Sequence, residues 1–220
     1  MNWNLYLSRY QQTHGGFFFG GGDAECDGQL LLSEGEKTPL LVCMSTDAAG
    51  RSTVEALRAR TMVMLDHPYT LHIRARGLIG SGVSSVANLM GGKMDFGYPE
   101  ATRGRIITTD NKAFTKLTLG DLALRSAMTA RKKDALWIRP GPQDNGQHIV
   151  EVTATNFGGT LNDESPWHND AMMTSTFYAS DEEKETILQA GSEYFDAQLD
   201  GFLNFLRAAR DAVTRWPVQT

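Results

Sequence analysis

The feature that most restricts the fold is an apolar stripe running through the last part of the chain. Leu188, Phe195, Phe202, Ala209 and Trp216 recur every seven residues, with Leu199, Leu206 and Val213 between them. Tyr194 and Phe205 widen the stripe on one flank, where Gln198 is the polar exception. Ser180 followed three residues later by Glu183 is a capping box. Glu182, Glu183 and Glu185 stand at the start and Arg207, Arg210 and Arg215 at the end, the polarity that a helix dipole favours. Such a helix needs a broad apolar surface to cover its stripe. The alternation of four and three also suits helix pairing, so a homodimer through this helix is the alternative expectation.

Upstream the apolar period changes from helical to two. Leu57, Ala59, Thr61, Val63 and Leu65 alternate with Arg58, Arg60, Met62 and Met64, and Tyr69, Leu71, Ile73 and Ala75 alternate with Thr70, His72, Arg74 and Arg76. Asp66-His67-Pro68 separates the two runs, which therefore read as a β-hairpin, although Ser52 and Glu55 would also cap a helix. Gln29 to Ser33 and Pro39 to Ser45 form a second hairpin about Glu34-Gly35-Glu36-Lys37. Arg105 to Thr109, Asp134 to Arg139 and His148 to Thr155 are further strands. Short helices are expected around Val83 to Met90, behind a cap at Asp110, and from Asp121 to Ala130. Phe17-Phe18-Phe19, set between glycines, reads as a short buried or edge strand, with a membrane-touching or partner-binding tip as its functional alternative. The expectation is one α+β domain over residues 1–220, with antiparallel strands packed against the long C-terminal amphipathic helix and short helices between.

From Arg58 to Trp216 this order of elements resembles a loose group of uncharacterised prokaryotic α+β domains. The resemblance is carried by Asp95-Phe96-Gly97, Arg105-Ile106-Ile107-Thr108-Thr109-Asp110, Ala135-Leu136-Trp137-Ile138, Ile149-Val150-Glu151-Val152 and the closing helix. It implies an α+β fold and no activity, and members of that group are often attached to membrane segments. This chain shows no such segment, since no window approaches the ~18 consecutive apolar residues of a span.

Composition narrows the function. Apolar residues at 41% and charged residues at 21% exclude a disordered chain. A formal charge of −5 argues against nucleic acid as the partner. Met1 to Arg9 lack a charged leader followed by an apolar core, and Cys26 and Cys43 lack CxxC spacing. Two reduced thiols in a cytoplasmic protein are the expectation, a lone disulfide the alternative. Peripheral membrane contact is compatible with the sequence.

No cofactor or metal motif stands out. Gly80, Gly82 and Ser85 give only GxGxxS, short of a dinucleotide fingerprint. His14, His67, His72, His148 and His168 include no pair at i, i+4, so no zinc site begins locally. There is no GxSxG elbow.

Charge is segregated, however. Between Arg51 and Arg139 there are 15 Lys or Arg against 7 Asp or Glu, while the rest of the chain carries −13. A hairpin about Asp66-His67-Pro68 would set Arg60 opposite Arg74 and Arg58 opposite Arg76. Like charges so placed cost stability unless an anion meets them. Arg58, Arg60, Arg74 and Arg76 are therefore the candidate anion-binding residues, for an anionic small molecule or an acidic protein segment; the chain's own acidic residues are the alternative cover.

A second candidate is the long stretch Asn156 to Ser180, where Trp167, His168 and Asp170 would contact a ligand or partner. Met172 to Tyr178 as an extra strand would shorten that loop to ordinary size. The expected function is a non-enzymatic ligand-binding or protein-interaction module; the alternative is a hydrolase with a His168–Asp170 acid/base pair.

Overall fold

Gly35 turns at φ +66°, where glycine carries little steric penalty, and Glu34 lies opposite Lys37 across the turn it makes. The computed structural model describes residues 3–20, 28–49, 52–76, 97–143, 145–155 and 181–217. Their elements are α1 (Trp3–His14), β1 (Phe17–Phe19), β2 (Gln29–Glu34), β3 (Lys37–Ala49), β4 (Ser52–Met64), β5 (Leu71–Ala75), a 3₁₀ turn (Glu100–Thr102), β6 (Arg105–Thr109), α2 (Lys112–Leu119), α3 (Leu122–Ala130), β7 (Ala135–Pro140), β8 (Gln147–Thr155) and α4 (Asp181–Val213). The fold is α+β. The eight strands form one sheet in the order β1-β2-β3-β4-β8-β7-β5-β6. Expected Val83–Met90, Cys26, Ser180, Met172–Tyr178 and the side chain of Leu188 lie outside the described residues.

The chain gathers into two compact units, one of Met1–Ala59 with Ala154–Phe202, the other of Arg60–Thr153 with Leu203–Thr220. In the first, Trp3, Tyr6, Leu7 and Tyr10 recur at i, i+3, i+4 and i+7, and α1 buries all four. The Trp3 and Tyr6 rings lie 6.1 and 5.5 Å from that of Phe195 on α4, and the Tyr10 hydroxyl donates to Asp200 Oδ1 at 2.7 Å. Gly191 allows this approach, because a Cβ there would stand 2.5 Å from the Tyr6 hydroxyl oxygen. Phe17-Phe18-Phe19 is the sheet's first strand, antiparallel to β2. Its central ring lies where a Cβ at Gly20 or Gly28 would stand, while Phe17 and Phe19 are 67% and 60% exposed.

In the second unit, β5, β7 and β8 bury Leu71, Ile73, Leu136, Ile138, Val150 and Val152, the alternate residues that period two requires. The helix expected from Asp121 to Ala130 forms as α3, with Asp121 as its cap, accepting from the Leu124 amide at 2.9 Å. The cap of α2 is Asn111 rather than Asp110: Asn111 Oδ1 accepts from the Phe114 amide, whereas Asp110 Oδ1 accepts from that of Thr70. Arg105 closes the C-terminal end of α3, donating to the carbonyls of Met128, Arg131 and Asp134 at 2.7–2.9 Å.

On α4, Phe195, Leu199, Phe202, Leu206, Ala209 and Val213 are fully buried. The stripe thus faces the chain's own core. Trp216 lies beyond the end of α4 and is 49% exposed.

The hairpin expected about Asp66-His67-Pro68 does not form. β8 and β7 lie between β4 and β5, and β5 pairs instead with β6 and β7. The backbone donors flanking the turn show why. The Leu65 amide donates to the Gly146 carbonyl at 2.9 Å, and the Tyr69 amide donates to His148 Nε2 at 3.0 Å. Both find acceptors at the start of β8 or just before it, rather than across the turn. Arg60 therefore does not face Arg74, nor Arg58 Arg76.

Candidate functional site

Alternation along each strand sorts the polar residues of the second unit to two sides of the sheet. The buried side carries a closed network. His148 Nε2 accepts from the Tyr69 amide, so Nδ1 of that ring carries the proton and donates to the Gly146 carbonyl at 2.9 Å. The Thr115 hydroxyl donates to the Asn111 carbonyl at 2.7 Å, so it accepts from both the Tyr69 and Thr109 hydroxyls, each 2.8 Å away. Thr109 in turn accepts from the Asn111 amide. Burial raises the Tyr69 phenol well above its ordinary range, the threonine hydroxyls opposing the shift. These protons have partners already, and the arrangement fastens the segment leading into β5 to α2 and β8, and β6 to α2.

The other side is turned outward. Thr108, His72, Trp137 and Glu151 form one row across β6, β5, β7 and β8, as the registers Thr108↔His72, His72↔Trp137 and Trp137↔Glu151 show. Trp137 is 41% exposed, although a large aromatic ring ordinarily seeks burial. The Arg139 guanidinium stands 4.4 Å from its ring centroid, a cation–π contact, and the His72 ring lies 5.4 Å away. Arg139 Nη2 is 3.5 Å from Glu151 Oε2. Burial first, and Arg74 second, hold His72 below the ordinary histidine range. On β4, Arg60, Met62 and Met64 alternate with buried Thr61 and Val63.

Of the arginines singled out by sequence, Arg74 belongs to this outward set, in register with Ile106 of β6. Arg60 is exposed on β4, and Arg58 occupies the same side of that strand. Arg76 lies past the end of β5, its amide donating to the Gly104 carbonyl at 3.0 Å. Arg60 and Arg74 are three strand positions apart, roughly 14 Å at the usual spacing. Trp167, His168 and Asp170 lie outside the described residues. Sequence reasoning passed over Trp137, Arg139, His72 and Glu151 as a group. Alternation in Ala135-Leu136-Trp137-Ile138-Arg139 already places Trp137 and Arg139 on one side; only the pairing of β5 with β7 adds His72.

Among the described residues no three His, Cys, Asp or Glu side chains converge on a metal-sized site, and no helix is long and apolar enough to cross a membrane. Comparison of the chain with protein-family models, with curated proteins and with solved structures gives no match.

Proposed function

We propose that the chain is a non-enzymatic interaction module that docks an acidic protein segment along the outward side of β4, β8, β7 and β5. The observation that carries this is Trp137, exposed on β7 beneath the Arg139 guanidinium, with Arg74 on neighbouring β5 and Arg60 on β4, two strands away in the other direction. Partly exposed Trp and Arg are the residue types that dominate binding energy at interfaces. Arg60, Arg74 and Arg139 outnumber Glu151 on this side, so a second copy of the same surface would meet like charge. One carboxylate or phosphate cannot bridge roughly 14 Å between Arg60 and Arg74, whereas an extended segment covers it in about four to five residues. A homodimer along α4 finds less support, because the stripe it would use is buried within the chain. A cytoplasmic setting accords with an acidic partner protein and with cysteines that lack CxxC spacing.

The test is fluorescence anisotropy with a labelled octa-aspartate peptide. Expected is saturable binding that weakens steeply with added salt and falls at least tenfold in Arg60→Glu/Arg74→Glu and in Trp137→Ala. Binding that is indifferent to these substitutions overturns the proposal, as does its absence at millimolar peptide.

A further inference from the structure

His72 stands between Thr108 and Trp137 in the row that the acidic segment would cross, so a docked segment covers its imidazole. On its own strand the neighbouring charge is Arg74, two residues along and on the same side. From β6 it faces Thr108. From β7 it faces Trp137, with the Arg139 guanidinium over that ring, and one strand further Glu151 is drawn toward Arg139. Among the described residues the free surface therefore sets two cations and one already engaged carboxylate around His72.

We propose, resting on the acidic-segment reading, that docking is coupled to the uptake of one proton by the His72 imidazole. In the free protein, burial and Arg74 favour the neutral ring. A carboxylate of the docked segment brings the opposite charge into this surrounding and favours imidazolium. The proton passes from a buffer acid to the free ring nitrogen, leaving the buffer base; no covalent bond of the protein changes. Binding then strengthens as pH falls through the interval between the free and bound titrations of His72, by at most about tenfold per pH unit for one proton. Aspartate carboxylates stay ionised at this pH, so the dependence belongs to the protein.

The experiment is calorimetric titration of the full chain with the octa-aspartate peptide at pH 6.5, in PIPES and in ACES, two buffers of different ionisation enthalpy. Expected is an observed enthalpy that differs between buffers by the uptake of a sizeable fraction of one proton, with affinity rising ~3–10-fold from pH 7.5 to 6.0. His72→Gln abolishes the buffer dependence, whatever it does to affinity. The His72 ring proton in NMR titrations of unsubstituted protein gives an independent readout: its midpoint moves up when peptide is present. Binding without buffer dependence, buffer dependence that survives His72→Gln, or an unmoved His72 midpoint overturns the coupling and leaves acidic-segment docking standing. Absence of peptide binding at every pH removes both.

Discussion

Two glycines of α4 receive the same substitution with opposite expected outcomes. Replacing a mid-helix glycine by alanine ordinarily stabilises by about 1 kcal/mol, because alanine loses less backbone freedom. Gly201→Ala has only that effect, since a Cβ there meets nothing within 4 Å. At Gly191 the new methyl stands 2.5 Å from the Tyr6 hydroxyl oxygen and 3.2 Å from its ring carbons. Tyr6 cannot swing aside easily, being buried and stacked on Phe195. Overpacking of this kind costs about 1–3 kcal/mol, which exceeds the propensity gain. Gly191→Ala is thus expected to lose about 1 kcal/mol and to lie about 2 kcal/mol below Gly201→Ala. For a chain of this size that is a separation of roughly 4–8 °C in Tm. Urea unfolding followed by circular dichroism measures both variants. In a Tyr6→Phe background most of the Gly191→Ala penalty should vanish, because the atom in conflict is gone. Should Gly191→Ala stabilise as much as Gly201→Ala, α1 does not pack on α4 through Tyr6.

Tyr69→Phe should lose about 1–2 kcal/mol by leaving the Thr115 hydroxyl one donor short. Because burial raises the folded phenol above its unfolded value, its contribution is full below pH 10 and is lost as pH rises beyond it; ultraviolet difference titration should show one tyrosine ionising only on unfolding. Asp196→Asn should raise Tm at pH 8. Its carboxyl is held above the ordinary range chiefly by burial, which His14 opposes and which Asp200 and Glu193 reinforce, and its Oδ1 is buried with no hydrogen-bond partner among the described residues. A raised folded value means that stability is greatest below the unfolded value and falls as pH climbs, so the advantage of asparagine should shrink toward pH 4, as thermal melts across that range would show. Arg105→Lys should cost about 2–4 kcal/mol in urea unfolding, since one ammonium cannot reach the three carbonyls that the guanidinium serves; a loss under 0.5 kcal/mol would sink that account.

Local order was legible where the pattern is local. The alternation through Leu57–Leu65 and Leu71–Ala75 placed each side chain on its proper face, because period two survives whatever the partner strand. The partner itself was not legible. Asp66-His67-Pro68 has the composition of a hairpin turn, but Gly146 and His148 are remote in sequence and take the amides of Leu65 and Tyr69. Nothing local in the sequence announces that Leu65 would bond to Gly146. The arginine pairs failed with the pairing, while the outward sense of Arg60 and Arg74 survived it. For α1 the apolar spacing of Trp3, Tyr6, Leu7 and Tyr10 was present but short, and such a helix is marginal without the tertiary surface of Phe195.

The first unit is also scattered in time. Its opening segment ends at Ala59 and its closing segment reaches Phe202, so at ~5–20 residues per second a ribosome takes roughly 7–30 s to deliver the second after the first. Throughout that interval Trp3, Tyr6 and Leu7 have no Phe195 to close upon, and Phe17 and Phe19 stand on a strand edge that invites pairing with another nascent chain. Anything that slows translation between the two segments should lower the soluble yield without altering the finished protein.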